Sequence, residues 1–425
     1  MENLTDVKMR QQIRPAFRVP LLLYAMFLCA SIVDPGGGFG LKYLASLLLS
    51  FYALVCIFTG KITFPLSFLV LEIPLFLLAP IFYLLLSVGI FLVPVGNAVS
   101  EITPFLTWVL YPVLLRINDK RKIVAIFRLV MFFGAVLITT IFFVILLAHF
   151  TGHDGLVGRI NFLANRYRLG YLGRNPLGGR SVVFVPNVYF RWSLLLIPAT
   201  LLMLQESTAK SLFMVFAALL TSSTAIIFFT FAGLGWVFVD SVFSKSKHSK
   251  TFRKRAALSV LLLFGIILAL YMGGYQEILA FVLEKFSARS QSTVIKVGHI
   301  RSVLDVLSED SFRLLFGMGV GSSFYSIGVG RFVSNIEVDH FNLIRQFGLM
   351  YATAFFLYVL FNLVALWKLG DETGKLIAMG LLLLFIAAGT NPLLISPVFF
   401  LQLILSRAYI ALSNRERELL MAQDR

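Results

Sequence analysis

Apolar runs of about 18 residues or more follow one another along most of this chain, and each is long enough to cross roughly 30 Å of hydrocarbon as a helix. Short basic or Gly/Ser turns separate them, together with two long polar stretches. The pattern predicts about twelve spans, near residues 19–33, 39–59, 66–92, 99–115, 123–148, 188–205, 210–222, 224–243, 256–273, 346–367, 376–391 and 393–412. Only Thr221, Ser222 and Ser223 separate the spans 210–222 and 224–243. Long runs, rather than alternating ten-residue segments, exclude a membrane barrel. The expected fold is all-α: one polytopic transmembrane helical bundle over 1–425, with large loops at 149–187 and 274–345.

Composition agrees with that pattern. The 425 residues are 59% hydrophobic and 14% charged, against about 25% charged in a soluble domain. The net charge of +16 does not imply a nucleic acid partner, because much of it lies between spans, where it sets topology. The first run, from Val19, follows Lys8, Arg10, Arg14 and Arg18 and reads as a signal anchor rather than a signal peptide. With the N-terminus inside, the inner connections hold Arg116, Lys120, Arg121 and Lys122, then the six Lys/Arg between Lys245 and Arg255, then the tail after Ser413. An even number of spans returns the C-terminus inside and leaves both large loops outside. No internal repeat is visible, which weighs against a repeat-built transporter.

The first outer loop departs from the usual depletion of basic residues outside. It carries Arg159, Arg166, Arg168, Arg174 and Arg180, with Arg191 just beyond it, one acid (Asp154) and no lysine. Arginine grips phosphate oxygens through a planar fork that lysine lacks, so a diphosphate at the membrane surface is a natural ligand; solvation of a polar loop or headgroup binding is the plainer reading. Gly170, Gly173, Gly178 and Gly179 suit tight turns, and Pro186-Asn187 suits a helix entrance.

The second outer loop has more structure written into it. Glu277–Ala288 reads as an interfacial helix, and residues 293–308 as a second amphipathic one, with Ile300, Val303, Leu304 and Leu307 on its apolar stripe. Arg301 and Asp305, four apart, share another face, either as a surface ion pair or with Arg301 aimed at substrate. Gly317, Gly319 and Gly321 form a flexible turn or offer N–H groups to an anion; their spacing is not a dinucleotide fingerprint. Glu337, Asp339, His340 and Asn342 then cluster at the entrance of the next span, where a carboxylate or imidazole can take a proton from a hydroxyl.

Elsewhere the chemistry is sparse. Glu72, between Pro65 and Pro74, is an intramembrane acid or one at interface depth. His149 and His153 straddle a helix end without further ligands, so no metal site is expected. Cys29 and Cys56 lie inside apolar runs and do not suggest a disulfide.

Three places resemble one family. They are Arg180 followed by Pro186-Asn187, Arg301 followed by Gly317, Gly319 and Gly321, and His340-Phe341-Asn342-Leu343 before Gly348-Leu349. Over roughly residues 180–367 the chain resembles the integral membrane O-antigen polymerase and O-antigen ligase group of bacteria. It departs where Ser223 is followed by Thr224 rather than Arg. His340 resembles the ligase histidine, while Glu337 and the Arg301–Gly317 spacing lean towards polymerase.

The resemblance implies a GT-C-type, metal-independent, inverting glycosyltransferase of the bacterial inner membrane, with cytoplasmic termini, periplasmic loops and no cofactor. Its donor would be an undecaprenyl-diphosphate-linked oligosaccharide. Its acceptor would be another lipid-linked repeat unit, or the lipid A core in a ligase. A chain-length regulator protein and the lipid bilayer are the implied partners. Arg180, Arg191 and Arg301 are the chief diphosphate candidates, with Arg166, Arg174, Arg289, Asn187, Gly317 and Gly319 beside them. His340, Glu337 or Asp339 would serve as base. A lipid-linked oligosaccharide flippase or a membrane scaffold are the rival classes.

Overall fold

The computed structural model describes residues 18–62, 64–176, 184–243, 257 and 291–423. The described chain is mostly helical and membrane-embedded. Six of its helices are long and apolar enough to cross a bilayer: Leu41–Phe58, Phe68–Gly89, Val95–Leu115, Lys120–Phe150, Asp339–Leu369 and Pro397–Gln423. Shorter apolar helices cover Val19–Val33, Ser193–Met203, Thr208–Leu220 and Thr224–Asp240. The expected span over 256–273, residue 257 apart, and the expected interfacial helix Glu277–Ala288 lie outside the described residues.

In chain order the bundle begins with α1 (Arg18–Val33) and α2 (Leu41–Phe58), and the third span then opens as π-helix, over Phe68–Glu72 and Pro74–Leu78, before α3 (Ala79–Gly89). Pro74 and Pro80 explain the widening, because each lacks an N–H and its ring collides with the carbonyl one turn earlier. The Ile73 and Ala79 N–H groups reach back five residues, to Phe68 and Pro74. A short chain of turns follows, α4 (Val95–Ile102), a 3-10 segment Thr103–Val109 and α5 (Leu110–Leu115). The long α6 (Lys120–Phe150) starts where the Asp119 carboxylate accepts from the Arg121 and Lys122 N–H groups.

The 149–187 loop is not irregular. It holds α7 (Asp154–Arg166) and an antiparallel hairpin, β1 (Gly170–Pro176) with β2 (Phe184–Phe190). The expected span 188–205 therefore begins as a strand and becomes helical only at Ser193. Val185, Val188, Tyr189 and Phe190 are strand formers, and burial alternates from Pro186 to Phe190. Pro186-Asn187 is a strand pair facing Arg174 and Gly173, not a helix entrance. The chain continues through α8 (Leu196–Met203), α9 (Thr208–Leu220) and α10 (Thr224–Phe243). Residues Leu194 to Leu204 are buried throughout, as expected of a short helix that is apolar all round and sits at the centre of the bundle.

After the undescribed stretch come α11 (Gln291–Ser308), α12 (Ser311–Phe316) and a second hairpin, β3 (Phe324–Ser326) with β4 (Arg331–Val333). Three helices close the chain: α13 (Asp339–Leu369), α14 (Glu372–Ala387) and α15 (Pro397–Gln423). The expected all-helical bundle thus carries two added hairpins.

The connections segregate to two ends. At one end Lys120 meets Glu416 at 2.9 Å and Ser413 at 3.0 Å, Arg417 donates to the Leu369 carbonyl, Arg415 to Asn118, and Arg116 to the Lys61 carbonyl. At the other end the Asp34 turn, the Gly317–Gly321 turn and the 388–396 turn pack among the loops.

Between the ends lies one buried ion pair. Arg407 of α15 donates to Glu72 and to Ser67, and the Tyr358 hydroxyl donates to Glu72 at 3.1 Å. Side-chain exposure is 6% for Arg407 and 0% for Glu72. The partner accounts for the acid at Glu72: it is buried inside the bundle, neutralised by a residue 335 positions later. Breaking such a pair strands a charge in apolar surroundings. Arg407→Met should lower stability by about 3–5 kcal/mol, and adding Glu72→Met should recover most of that loss. Denaturant titration of the purified protein in detergent checks both outcomes.

Candidate functional site

The second loop is built around Arg345, six residues into α13. Its guanidinium is fully buried and every donor group is used. Nη1 donates to the Ser322 carbonyl at 2.9 Å and to Ser322 Oγ at 3.0 Å. Nη2 donates to the Ser334 carbonyl at 2.7 Å and to Asn342 Oδ1 at 2.9 Å, and Nε reaches the same oxygen at 3.3 Å. The plane stacks over Phe324 at 4.8 Å, with Glu101 of α4 facing the cluster. One cation thereby ties α13, the glycine turn and the β4–α13 link together.

The glycine turn locks into the same unit. Gly317, Gly319 and Gly321 all have positive φ, and Gly348 interrupts α13 with φ 75°. A Cβ on Gly317 would fall on the Gln346 carbonyl, and one on Gly348 would fall on the Leu315 carbonyl, so the two breaks nest against each other. Gly319 and Gly321 press onto Phe91 and onto the Asn97–Ala98 backbone. The Gly317, Met318 and Val320 N–H groups donate to the Arg313 carbonyl, the Arg345 carbonyl and Ser87 Oγ. They hold the protein together rather than facing an anion.

Helix α11 is clamped to the second hairpin. His299 Nδ1 lies 2.5 Å from Ser326 Oγ, and the Ile327 N–H donates to Ser302 Oγ at 2.9 Å. Gly298 and Gly328 touch with no room for a Cβ on either, and Val303, Leu307, Phe324 and Ile336 form a small core beneath. The opposite face presents Arg301 and Asp305, both exposed and without an ion pair among the described residues. The ion-pair alternative for these two is not formed, and Arg301 is left open to the surroundings.

The three base candidates occupy different settings. Asp339 is 3% exposed and caps the turn before α15: its Oδ2 accepts from the Leu393 N–H at 2.7 Å and from the Leu394 N–H, and its Oδ1 from Asn342 at 3.2 Å. Its oxygens are occupied by the fold. Glu337 is exposed and 3.5 Å from Lys296 on α11. His340 is half-buried between Phe385, at 4.8 Å between ring centres, and Phe356, at 5.8 Å. Glu337, ion-paired to Lys296, and His340, whose ring also hydrogen-bonds the Phe385 backbone, each keep one atom open to accept a proton.

In the first loop, Arg166 lies over the neighbouring Tyr167 ring at 5.9 Å. Arg191 is exposed at the end of β2, where its N–H donates to the Leu169 carbonyl at 3.2 Å. Arg174 and Asn187 are in the hairpin, and the Asn187 Oδ1 atom is buried without a hydrogen bond among the described residues. Arg180 and Arg289 lie outside the described residues.

A groove of about 630 Å³ opens on the side of the bundle between the π-helical wall and α13. Its lining is apolar or aromatic, including Leu71, Pro74, Phe82, Met350, Leu357 and Phe361. Phe316, next to the Gly317 turn, closes one end, and Tyr358, bonded to Glu72, stands in the other half. Sequence reasoning missed the roles of Arg345 and Arg407; it expected a groove among the apolar spans but not which residues would line it. The i,i+3 pair Asn342–Arg345 was the available signal for the first. Among the described residues no three His, Cys, Asp or Glu side chains converge as metal ligands. Neither a protein-family model nor a curated protein sequence matches the chain.

The His299 clamp makes a testable pH dependence. Burial pushes the His299 imidazole below its ordinary pKa, and the nearby Glu337 charge only partly opposes this. The unfolded state takes up a proton near pH 6.5 and the native state does so at lower pH, so the stabilisation is complete above about 6.5 and is lost as pH falls below it. Amide exchange in α11 should therefore accelerate, relative to the α13 core, between pH 7.5 and 5.5. His299→Gln should flatten that difference.

Proposed function

We propose that this protein is a membrane glycosyltransferase acting on glycans carried by a polyprenyl diphosphate, and that it joins lipid-linked repeat units as an O-antigen-type polymerase. The observation that carries this reading is the side groove. It offers an isoprenoid chain an apolar bed reached from the hydrocarbon, and it ends at Phe316, where the polar loop end begins. Arg191 and Arg301 belong to that same loop end, where a diphosphate attached to the chain would emerge. The twelve-span, GT-C-like arrangement, with this end in the periplasm of a bacterial inner membrane, is part of the proposal.

In this scheme Arg191, Arg301 and Arg180 hold the donor diphosphate and take up charge as it leaves. His340 or Glu337 takes the proton from the acceptor hydroxyl, whose oxygen forms a bond to the anomeric carbon as the bond to phosphate breaks. In-line attack inverts that carbon. Asp339 and Arg345 act as positioning residues, since the fold itself occupies their polar atoms. A flippase would need charges free along a path through the spans, whereas Glu72 and Arg407 neutralise each other.

The test is purified protein given a lipid-linked repeat unit. A ladder of longer products is expected. Transfer to lipid A core instead would make it a ligase, and absence of any glycan product would overturn the enzyme reading. Arg301→Ala and His340→Ala, at normal membrane levels, should each reduce turnover by about 10²-fold or more. Arg301→Lys should remain impaired if the contact is bidentate.

A further inference from the structure

We propose that Lys42 and Arg191 together form a binding site for the phosphate of a lipid-borne ligand, with the donor diphosphate as its occupant; that occupant rests on the glycan-transfer reading. The site is set by an interlocked turn. The α1–α2 connection packs against the first loop, with Gly36 against the Arg168 backbone, Gly38 against Tyr167, and Phe39 stacked on Tyr167 at 4.2 Å. Space there is too tight for a side chain at either glycine. The Arg191 N–H bond to the Leu169 carbonyl fixes the end of β2 beside the same turn.

Three positive features meet at this place. Lys42 is the second residue of α2, where the helix dipole already presents positive charge and a cation is disfavoured. It is half-buried, and its ammonium makes one long hydrogen bond, 3.4 Å to the Pro35 carbonyl. The Arg191 guanidinium lies close enough to repel it, although the Asp34 carboxylate attracts it more strongly. Asp34 is the nearby acid, but it is fully buried, and its two oxygens accept the Phe39 and Leu41 N–H groups at 3.1 and 3.0 Å. Neither Lys42 nor Arg191 forms an ion pair within hydrogen-bond distance among the described residues. Asp34 offsets part of the Lys42 charge without bonding to it, and a half-buried ammonium with spare donors beside an exposed guanidinium is left open to an anion. Phosphate oxygens meet the need: Arg191 reaches them from the surface, and Lys42 from beneath.

The experiment uses the full chain in detergent and in nanodiscs, with farnesyl diphosphate, inorganic diphosphate and phosphatidylglycerol as separate probes. Binding of farnesyl diphosphate is expected, and Lys42→Gln and Arg191→Gln should each weaken it about tenfold or more, the loss of one charge-assisted contact. Lys42→Arg should retain most of the affinity, and unliganded melting curves establish that the variants fold. Stabilisation by phosphatidylglycerol alone, lost in both variants, would keep the phosphate site and assign it to a membrane headgroup. Equal affinity of wild type and Lys42→Gln for every probe would overturn the proposal. Diphosphate binding that depends on Lys42, in a protein that makes no glycan product, would leave the site standing and remove the transferase reading.

Discussion

The loop end of this protein depends on a guanidinium that no water reaches. Arg345 is held by two carbonyls, one hydroxyl, one amide oxygen and an aromatic face, all from within residues 322–345. A buried cation in apolar surroundings is tolerable only when its donors are matched, and a planar fork can be matched by main-chain oxygens that loops have in excess. The consequence is that segments without regular hydrogen-bond ladders acquire a shared partner. The glycine turn, the second hairpin and the head of α13 then behave as one object, which presents Arg301 and Glu337 outward while keeping its own polar groups inside.

The same economy governs the bundle. Glu72, Arg407, Ser67 and Tyr358 form one polar set inside the bundle, with Arg407 and Tyr358 converging on a single Glu72 oxygen, beside a wall that proline has forced into wider π turns. The wall contributes Val70, Leu71, Pro74 and Leu75 to the groove, while the ion pair secures its other side. Polar atoms are thus gathered behind the groove, and its lining stays apolar. A lipid chain in it would meet methyl groups and rings, with charge withheld one layer deeper.

Much of this was legible in the sequence, for physical reasons that also mark where legibility stops. Long apolar runs are a length signal, and they located α2, α6, α9, α10 and α14 to within a few residues. The amphipathic stripe at 293–308 located α11 because Val303 and Leu307 had to be covered. The hairpin at 170–190 was not seen, because an apolar strand of seven residues leading into a buried helix reads as one span. Arg345 was assigned to the end of a loop because a charged residue before an apolar run usually marks the interface. Its partners are 3 to 23 positions away, and only the closed turn brings them together. Arg407 and Glu72 are 335 positions apart, and no local pattern connects them. The candidate residues differ in exposure: Arg301, Glu337 and Arg191 face outward, while Asp339 is drawn into the fold.

The break at Gly348 also settles a matter of thickness. A straight helix over Asp339–Leu369, 31 residues, would be about 46 Å long. That exceeds roughly 30 Å of hydrocarbon by several turns. Divided at Gly348, the part that follows is about 21 residues and about 31 Å, a close match to the bilayer without tilt or thinning. The first nine residues are released from the axis of the span. His340 is thereby held beside the Phe356 and Phe385 rings of the bundle, instead of being carried away from them on the end of an overlong rod.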